Sequence, residues 1–358
     1  MVAFDHAFDH EEVVIRRGTR SGLPVIVAIH STVLGPAVGG CRIWRYTGWA
    51  EGLDDALRLS AAMTHKSAVA GLAAGGGKIV VPVPPGAALG PTRRRDLLHD
   101  IGDVVAALDG RYATGPDVGT TSADMAVIGD RTAHVFCEPA DQGGSGDPSR
   151  HTAAGAVAAI RAVCARRYGT AAPTGRRVAV VGLGNVGGTL ARMLAAAGAE
   201  LLVADIDPAK RALADELGAT WTRPEAAITA AVDVLVPAAL GGLLTEDVVP
   251  ALRCAAIAGP ANNQLAAPAV ADLLHRRGIT WVPDYVVSAG GVIGTLSLEL
   301  HHRTAEEARA QVRGIEDTVR ELLDAAERAG STPAWAAHEL ARHRLRAAAS
   351  ADHEPAAT

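Results

Sequence analysis

Lysine is nearly missing from this chain. Its 358 residues carry 34 basic side chains, and only Lys66, Lys78 and Lys210 among them are lysine. The formal net charge is −5 and the arginines are scattered, which argues against nucleic acid or an acidic membrane as partner. The four cysteines, Cys41, Cys137, Cys164 and Cys254, lie far apart and form no CxxC pair, so neither a zinc knuckle nor a disulfide framework is supported. Thirteen histidines include no HExxH, and no metal site is expected. No apolar run approaches the roughly 18 residues that a membrane helix needs. The opening stretch, MVAFDHAFDHEEVV, is acidic and lacks the apolar centre of a signal peptide. A cytoplasmic protein is the expectation.

What is present is globular. The chain is 49% hydrophobic and 20% charged, and its length suits two domains. Two of the three lysines fall in one stretch, MTHKSAVAGLAAGGGK at 63–78. Arginine serves a solvated face as well as lysine does, but it cannot give up its proton at working pH. Lysine can, when desolvated or crowded by another cation. Lys66 and Lys78 are therefore expected where arginine fails chemically. The alternative is a pair of surface lysines in a loop.

The first half reads as strands Glu11–Arg17 and Leu23–His30 around the turn Gly18–Gly22. Gly35–Arg42 reads as loop or tight backbone, and Leu53–Met63 as a helix that Lys66 follows. Lys78 begins an apolar strand after three glycines, and Arg93–Ala107 is amphipathic at helical spacing. Asp117 falls in a Gly/Pro loop within Tyr112–Thr121, and Gln142–Ser149 is the best linker. The second half alternates strands (178–181, 201–204, 232–236, 255–258, 280–282) with helices, which predicts a doubly wound parallel sheet. Gln311–Arg328 and Trp335–Ala349 read as closing helices.

Gly182-Leu-Gly-Asn-Val-Gly187 stands between a strand and a helix, with Asp205 at the end of the next strand. Gly182 permits the tight turn, Gly184 lets a pyrophosphate approach the backbone, and Gly187 lets helix and strand pack. The free N–H groups of the helix start face the phosphates. An acid at 205 suits the ribose hydroxyls and repels a 2′-phosphate, so NAD is expected over NADP, with Lys210 and Arg211 close by as the contrary signal. The alternative is a glycine turn in a Rossmann-like domain without cofactor.

These residues bring a family into view. The chain resembles the Glu/Leu/Phe/Val dehydrogenases, NAD-linked oxidative deaminases of amino acids. The motifs are LGPAVGGCR at 34–42, MTHKSAVAGLAAGGGK at 63–78, TGPDVGTTSADM at 114–125, GLGNVG at 182–187, AGPANNQL at 258–265 and PDYVVSAGGVI at 283–293. The resemblance implies an N-terminal mixed α/β substrate domain and a Rossmann domain, with a cleft between them. The domains would span 1–146, completed by a helix at about 330–349, and 147–329, with 350–358 a disordered tail. Lys66 would hold the substrate carboxylate, helped by the Gly39–Gly40 backbone. Lys78 would activate water for attack on the imine carbon, and Asp117 would move protons to and from the substrate nitrogen. Asn262 would orient substrate near the nicotinamide; Val38, Met63, Gly115, Val292 and Thr295 would line the side-chain pocket. Gly182, Gly184, Asn185, Val186, Gly187, Asp205, Thr152, Ala238 and Asn262 would contact NAD.

Glutamate-specific relatives carry a lysine where this chain has Val38, and an apolar wall there disfavours a charged substrate. Gly115, in TGPD, leaves more room than the alanine of branched-chain members, so a bulky, aromatic-sized apolar L-amino acid is expected. Ser288, Pro260, Ala239, His65 and Thr295 depart from the usual motif residues, which keeps a branched-chain or specialised biosynthetic substrate open. A homo-oligomer built through the first domain is implied. A non-catalytic NAD-binding regulator is the competing class, and it would have no use for Lys66, Lys78 and Asp117.

Overall fold

The structure, a computed structural model, describes residues 8–239 and 241–351. Two compact units emerge: one comprises the chain up to Asp147 with the stretch from Ala341, the other Pro148–Leu340.

The first unit is built on strands β1 (Glu12–Arg17), β2 (Pro24–Ser31), β3 (Ala37–Arg45), β4 (Gly75–Val83) and β5 (Tyr112–Pro116), in the spatial order β1-β2-β4-β3-β5. The sheet is mixed. β2 runs antiparallel to β1 and β4, whereas β3, β4 and β5 are mutually parallel. Its helices are α1 (Trp49–Ala70), α2 (Pro91–Ala106) and α3 (Ser122–Gly129). Alternate residues of a strand face opposite sides. Val25, Val27, Ile79 and Val81 accordingly pack with Leu97 and Ile101 of α2 and Ile128 of α3. Ile26, Ala28 and Val80 pack with Leu53 and Ala56 of α1. The parity of Val80 puts Lys78 on the α1 side.

Three elements differ from what the sequence predicts. Residues 37–42 form strand β3 rather than loop. Lys66 lies inside α1, not beyond it. Lys78 stands within β4, not at a loop-to-strand junction, because Gly75–Gly77 belong to the strand. The glycines are there for proximity. A Cβ on Gly76 would collide with Thr64 of α1, and one on Gly77 would lie 2.6 Å from the Tyr112 ring. A side chain at 76 would force α1 from the sheet, and one at 77 would displace the Tyr112 ring on the other face. The helix outlasts its expected end because Gly71, in the left-handed conformation (φ 66°), caps it. Arg344 then donates to the carbonyls of Ala68 and Val69 at 2.9 and 2.8 Å, placing a cation at the negative end of the helix.

The second unit contains α4 (Ser149–Tyr168), β6 (Arg177–Val181), α5 (Asn185–Ala196), β7 (Glu200–Ala204), β8 (Thr220–Thr222), β9 (Val234–Pro237), β10 (Ala256–Ile257) and β11 (Thr280–Trp281). The strand order is β11-β10-β9-β6-β7-β8, and every pairing is parallel. This is the doubly wound sheet expected, with one strand, β8, that the sequence reading missed. The chain leaves β6 toward β7 on one side and returns to β9 on the other, so the topological switch point falls beside β6. The expected helix Gln311–Arg328 is two helices, Ala305–Arg313 and Ile315–Ala329, joined at Gly314. The closing helix is Pro333–Ala351. It takes in the first two residues of the expected disordered tail; the remainder, 352–358, lies outside the described residues. Among the described residues no helix is long and apolar enough to cross a membrane.

Candidate active site

In the first unit the centre is an ion pair. Lys78 Nζ lies 2.6 Å from Asp117 Oδ2, with the lysine side chain 7% and the aspartate 20% exposed. Burial pushes the Asp117 carboxyl up, but the charges of Lys78 and Arg42 outweigh it and hold it below its ordinary range. Backbone fixes the aspartate as well. Its N–H donates to Thr120 Oγ1 at 2.9 Å, and the Thr120 hydroxyl donates to the Cys41 carbonyl at 2.8 Å. Gly119 (φ +84°) runs so close to the Ile43 carbonyl that a Cβ would collide with it. The loop after β5 is thereby pinned to β3, with Thr121 and Asp124 forming a capping box at the start of α3.

Gly40 adjoins the pair. A Cβ there would lie 2.7 Å from Asp117 Cβ and 3.2 Å from Lys78 Nζ. Gly39 meets the backbone of Gly77 so closely that no side chain fits. Gly115 is different: it pairs with Gly40 across β3 and β5, and an added Cβ would find its nearest atoms, in Phe136, at 3.8 and 3.9 Å. Val38 is buried, and Met63 and Lys66 are half-buried on α1. Burial and then the nearby Asp117 push the Cys41 thiol up to about 12, which leaves it protonated and unsuited to act as a nucleophile.

Sequence reasoning passed over the other members of this cluster. Arg42 Nε donates to Asp117 Oδ2 at 3.2 Å, and its Nη1 to Asp55 Oδ2 at 2.9 Å. The Tyr46 hydroxyl donates to the same Asp55 oxygen at 2.6 Å. The sequence signal for Arg42 was its place in LGPAVGGCR; only with 37–45 seen as a strand does alternation from Gly40 put it on the same face. Asp55 was not, because only the packing of α1 brings it near.

In the second unit the fingerprint has the form a dinucleotide needs. Gly182 adopts φ +103° after β6, and its Cβ would lie 2.7 Å from Ala239 Cβ. Gly187 tolerates no side chain against the Gly182 carbonyl, with Ala238 Cβ next at 3.1 Å. Gly184 alone of the three opens onto free space, and it leads into α5 without a side-chain cap. That is the cradle in which a pyrophosphate would approach the first N–H groups of the helix. Asn185 is exposed and Val186 half-buried on its first turn. Asp205, at the end of β7, accepts from Leu183 N at 2.6 Å through Oδ2 and from Asp207 N at 2.9 Å through Oδ1. Each carboxylate oxygen keeps further acceptor capacity for a ribose hydroxyl. These residues fit NAD.

The Asn262 loop is held by a residue that sequence reasoning did not single out. Gln264 is fully buried, and its Nε2 donates to the Gly259 and Ala261 carbonyls at 2.6 and 3.1 Å. Its Oε1 accepts from Trp281 Nε1 at 3.1 Å. Ser288, at a position of departure from the usual motif, still reaches Asn262 Oδ1 with its hydroxyl at 3.4 Å. The glycines of SAGGVIG serve packing: Gly290, Gly291 and Gly294 admit His151 and Thr152 of α4, and a Cβ on Gly291 would lie 2.6 Å from Thr152 Oγ1. Thr152 is thereby packed beside the helix carrying Val292, which is half-buried, and Thr295, which is buried.

Comparison with known proteins gives a consistent result. Residues 9–134 match the family described as Glu/Leu/Phe/Val dehydrogenase, dimerisation domain, and 203–352 match Glutamate/Leucine/Phenylalanine/Valine dehydrogenase. Residues 152–251 also match the NAD binding domain of D-isomer specific 2-hydroxyacid dehydrogenases. A leucine dehydrogenase of Geobacillus stearothermophilus is 39% identical over 339 residues, covering 94% of this chain and 91% of that protein. The crystal structure of L-tryptophan dehydrogenase from Nostoc punctiforme superposes with a TM-score of 0.82 at 36% identity, covering 96% of this chain and 97% of that one. The hetero-hexameric glutamate dehydrogenase of Thermus thermophilus, in its leucine-bound form, gives 0.78 at 25% identity, covering 95% and 89%.

Proposed function

The chain belongs to the Glu/Leu/Phe/Val dehydrogenase family, and from that premise we propose that it oxidatively deaminates a bulky apolar L-amino acid, reversibly, to the 2-keto acid and ammonia, with NAD as oxidant. The observation that carries this reading is the buried contact of Lys78 with Asp117, in a chain whose other unit has the dinucleotide fingerprint. NAD, when bound, supplies the acceptor for the hydride that leaves the substrate Cα. The chain's own residues do the rest. Lys66 and the Gly39–Gly40 backbone bind the α-carboxylate. Asp117 takes a proton from the substrate ammonium, freeing the nitrogen lone pair to form the C=N bond as hydride departs. Neutral Lys78 takes a proton from water as the new C–O bond forms at the imine carbon. Asp117 returns its proton to nitrogen, the C–N bond breaks and ammonia leaves while the freed Asp117 carboxylate takes the hydroxyl proton as the carbonyl forms; Lys78 and Asp117 then release their protons to solvent.

Val38 and Gly115 support an uncharged, large side chain: a substrate carboxylate against Val38 would be desolvated without a cation. Asp205 supports NAD over NADP. Asn262, Thr152 and Ala238 are assigned to the nicotinamide end, and Met63, Val292 and Thr295 to the side-chain pocket. We also assign a cytoplasmic location and a homo-oligomer assembled through the first unit. The test is reduced-nicotinamide absorbance with NAD and L-Phe, L-Trp, L-Tyr, L-Leu, L-Val and L-Glu. Turnover of one bulky apolar member, weak on Glu and lost with NADP, is expected. Silence on the panel and on the keto acids with ammonia and NADH would overturn the reading.

A further inference from the structure

We propose that Arg42 is a positioning residue for the Lys78–Asp117 pair, and that Asp55 holds it in that task. The inference rests on the deamination reading above and adds to it a group that touches no substrate.

The geometry is a relay of shared oxygens. Lys78 Nζ and Arg42 Nε both reach Asp117 Oδ2, at 2.6 and 3.2 Å. Arg42 Nη1 and the Tyr46 hydroxyl both reach Asp55 Oδ2, at 2.9 and 2.6 Å, and Arg58 Nη2 reaches Asp55 Oδ1 at 2.6 Å. Arg42 and Asp55 are 18% and 14% exposed, so this is no solvated surface pair. Arg42 leaves β3 on the face of Gly40, and Asp55 comes down from α1 over that face.

Why two cations on one carboxylate oxygen? In the proposed reaction Lys78 carries a proton in some steps and not in others. Whenever it is neutral it no longer holds Asp117 by charge. A guanidinium keeps its charge at every working pH. Arg42 therefore anchors Asp117 in place whenever Lys78 cannot, and favours the ionised form that takes the substrate proton. The planar fork matters as well, since one guanidinium offers Nε to one carboxylate and Nη1 to another, and a lysine ammonium on a flexible stem cannot hold both in the same way. Burial of the cluster amplifies these effects, because charges in a desolvated site interact more strongly than in water.

The test compares Arg42→Gln, Arg42→Lys and Asp55→Asn with the parent chain, using pH profiles of kcat and KM on the best amino acid of the panel. Each protein also carries 13C-carboxyl aspartate, with Asp117→Asn identifying the Asp117 resonance. Loss of one charge-assisted hydrogen bond predicts a fall in kcat of about tenfold for Arg42→Gln, with KM changed less than about threefold. The acid limb of kcat and the Asp117 carboxyl titration should both move up, by about one pH unit. Arg42→Lys should restore the limb, because the charge is back, but recover only part of kcat. Asp55→Asn should lower kcat less than Arg42→Gln does. An unmoved limb and an unmoved Asp117 titration in Arg42→Gln would overturn the proposal, as would equal impairment of the Gln and Lys variants tracking only a lower melting temperature. If the parent turns over no amino acid, the deamination reading falls. The Asp117 titration still decides the role of Arg42: raised in Arg42→Gln it stands, unchanged it fails.

Discussion

A methyl group on Gly40 would meet Asp117 Cβ at 2.7 Å and Lys78 Nζ at 3.2 Å, so Gly40→Ala must push the pair apart or tilt β3. Displacements of an ångström at a reacting centre cost on the order of 10²-fold in rate, and kcat followed by NADH absorbance should fall by about that factor while the far-ultraviolet circular dichroism stays unchanged. Gly115→Ala makes the opposite case. Its new methyl has ordinary contacts at 3.8 and 3.9 Å, so the fold should accept it, with the melting temperature shifted by only a few degrees, about the effect of 1 kcal/mol or less. In the proposed pocket the methyl removes room, and kcat/KM for phenylalanine relative to valine should drop on the order of tenfold. An unchanged ratio would remove Gly115 from the pocket. These residues were legible in the sequence because motif and spacing single them out. Arg42 lay unnoticed two positions from Gly40, and Asp55 carries no local signal at all.

Helix α1 and the strand after it depend on contacts that their own sequence does not show. Gly75–Gly77 read as loop, because glycine is the commonest local breaker. Gly76 and Gly77 are instead where a helix and a tyrosine ring press onto a strand, through Thr64 and Tyr112, and Gly75 lies against the Ser31 and Gly35 carbonyls; all four neighbours are distant in sequence. Likewise the end of α1 is set partly by Arg344, which binds the Ala68 and Val69 carbonyls from 276 and 275 residues away. The Rossmann half was easier, since strand, glycine turn, helix and acid follow one another within a single local stretch. Only the short edge strand β8 escaped. Because Lys66 rides on α1, Arg344→Ala should act at a distance: loss of charged hydrogen bonds costs about 1.5–3 kcal/mol each at most, seen as a lower melting temperature. KM for the amino acid should rise, while NAD binding followed by nicotinamide fluorescence stays as in the parent. An unchanged KM would detach Lys66 from substrate binding.

Among the described residues, the buried or half-buried carboxyls that their partners hold low lie in the first unit. Asp100 accepts from Ser21 N and Oγ at 2.9 and 2.7 Å and from Arg20 Nη1 at 3.0 Å, and Arg94 pairs with Asp124 at 2.8 Å. Burial pushes the carboxyls of Asp55, Asp100, Asp117 and Asp124 up, yet their partners outweigh it and hold all four below the ordinary 3.8. A carboxyl lowered in the folded state stabilises fully above its unfolded value, and that stability is lost as pH falls through the folded value. Acid should therefore open the first unit before the second. Hydrogen exchange between pH 4 and 2.5 should lose protection first in β2, β4 and α2, and simultaneous loss in β6 and β9 would count against this. The proposed reaction depends on Lys78, and turnover of Lys78→Ala with NAD and the preferred amino acid decides it. Removing a group that activates water should cut kcat by about 10²–10⁴-fold with NAD affinity intact. Turnover within a few fold of the parent, from a folded and NAD-binding variant, would contradict it.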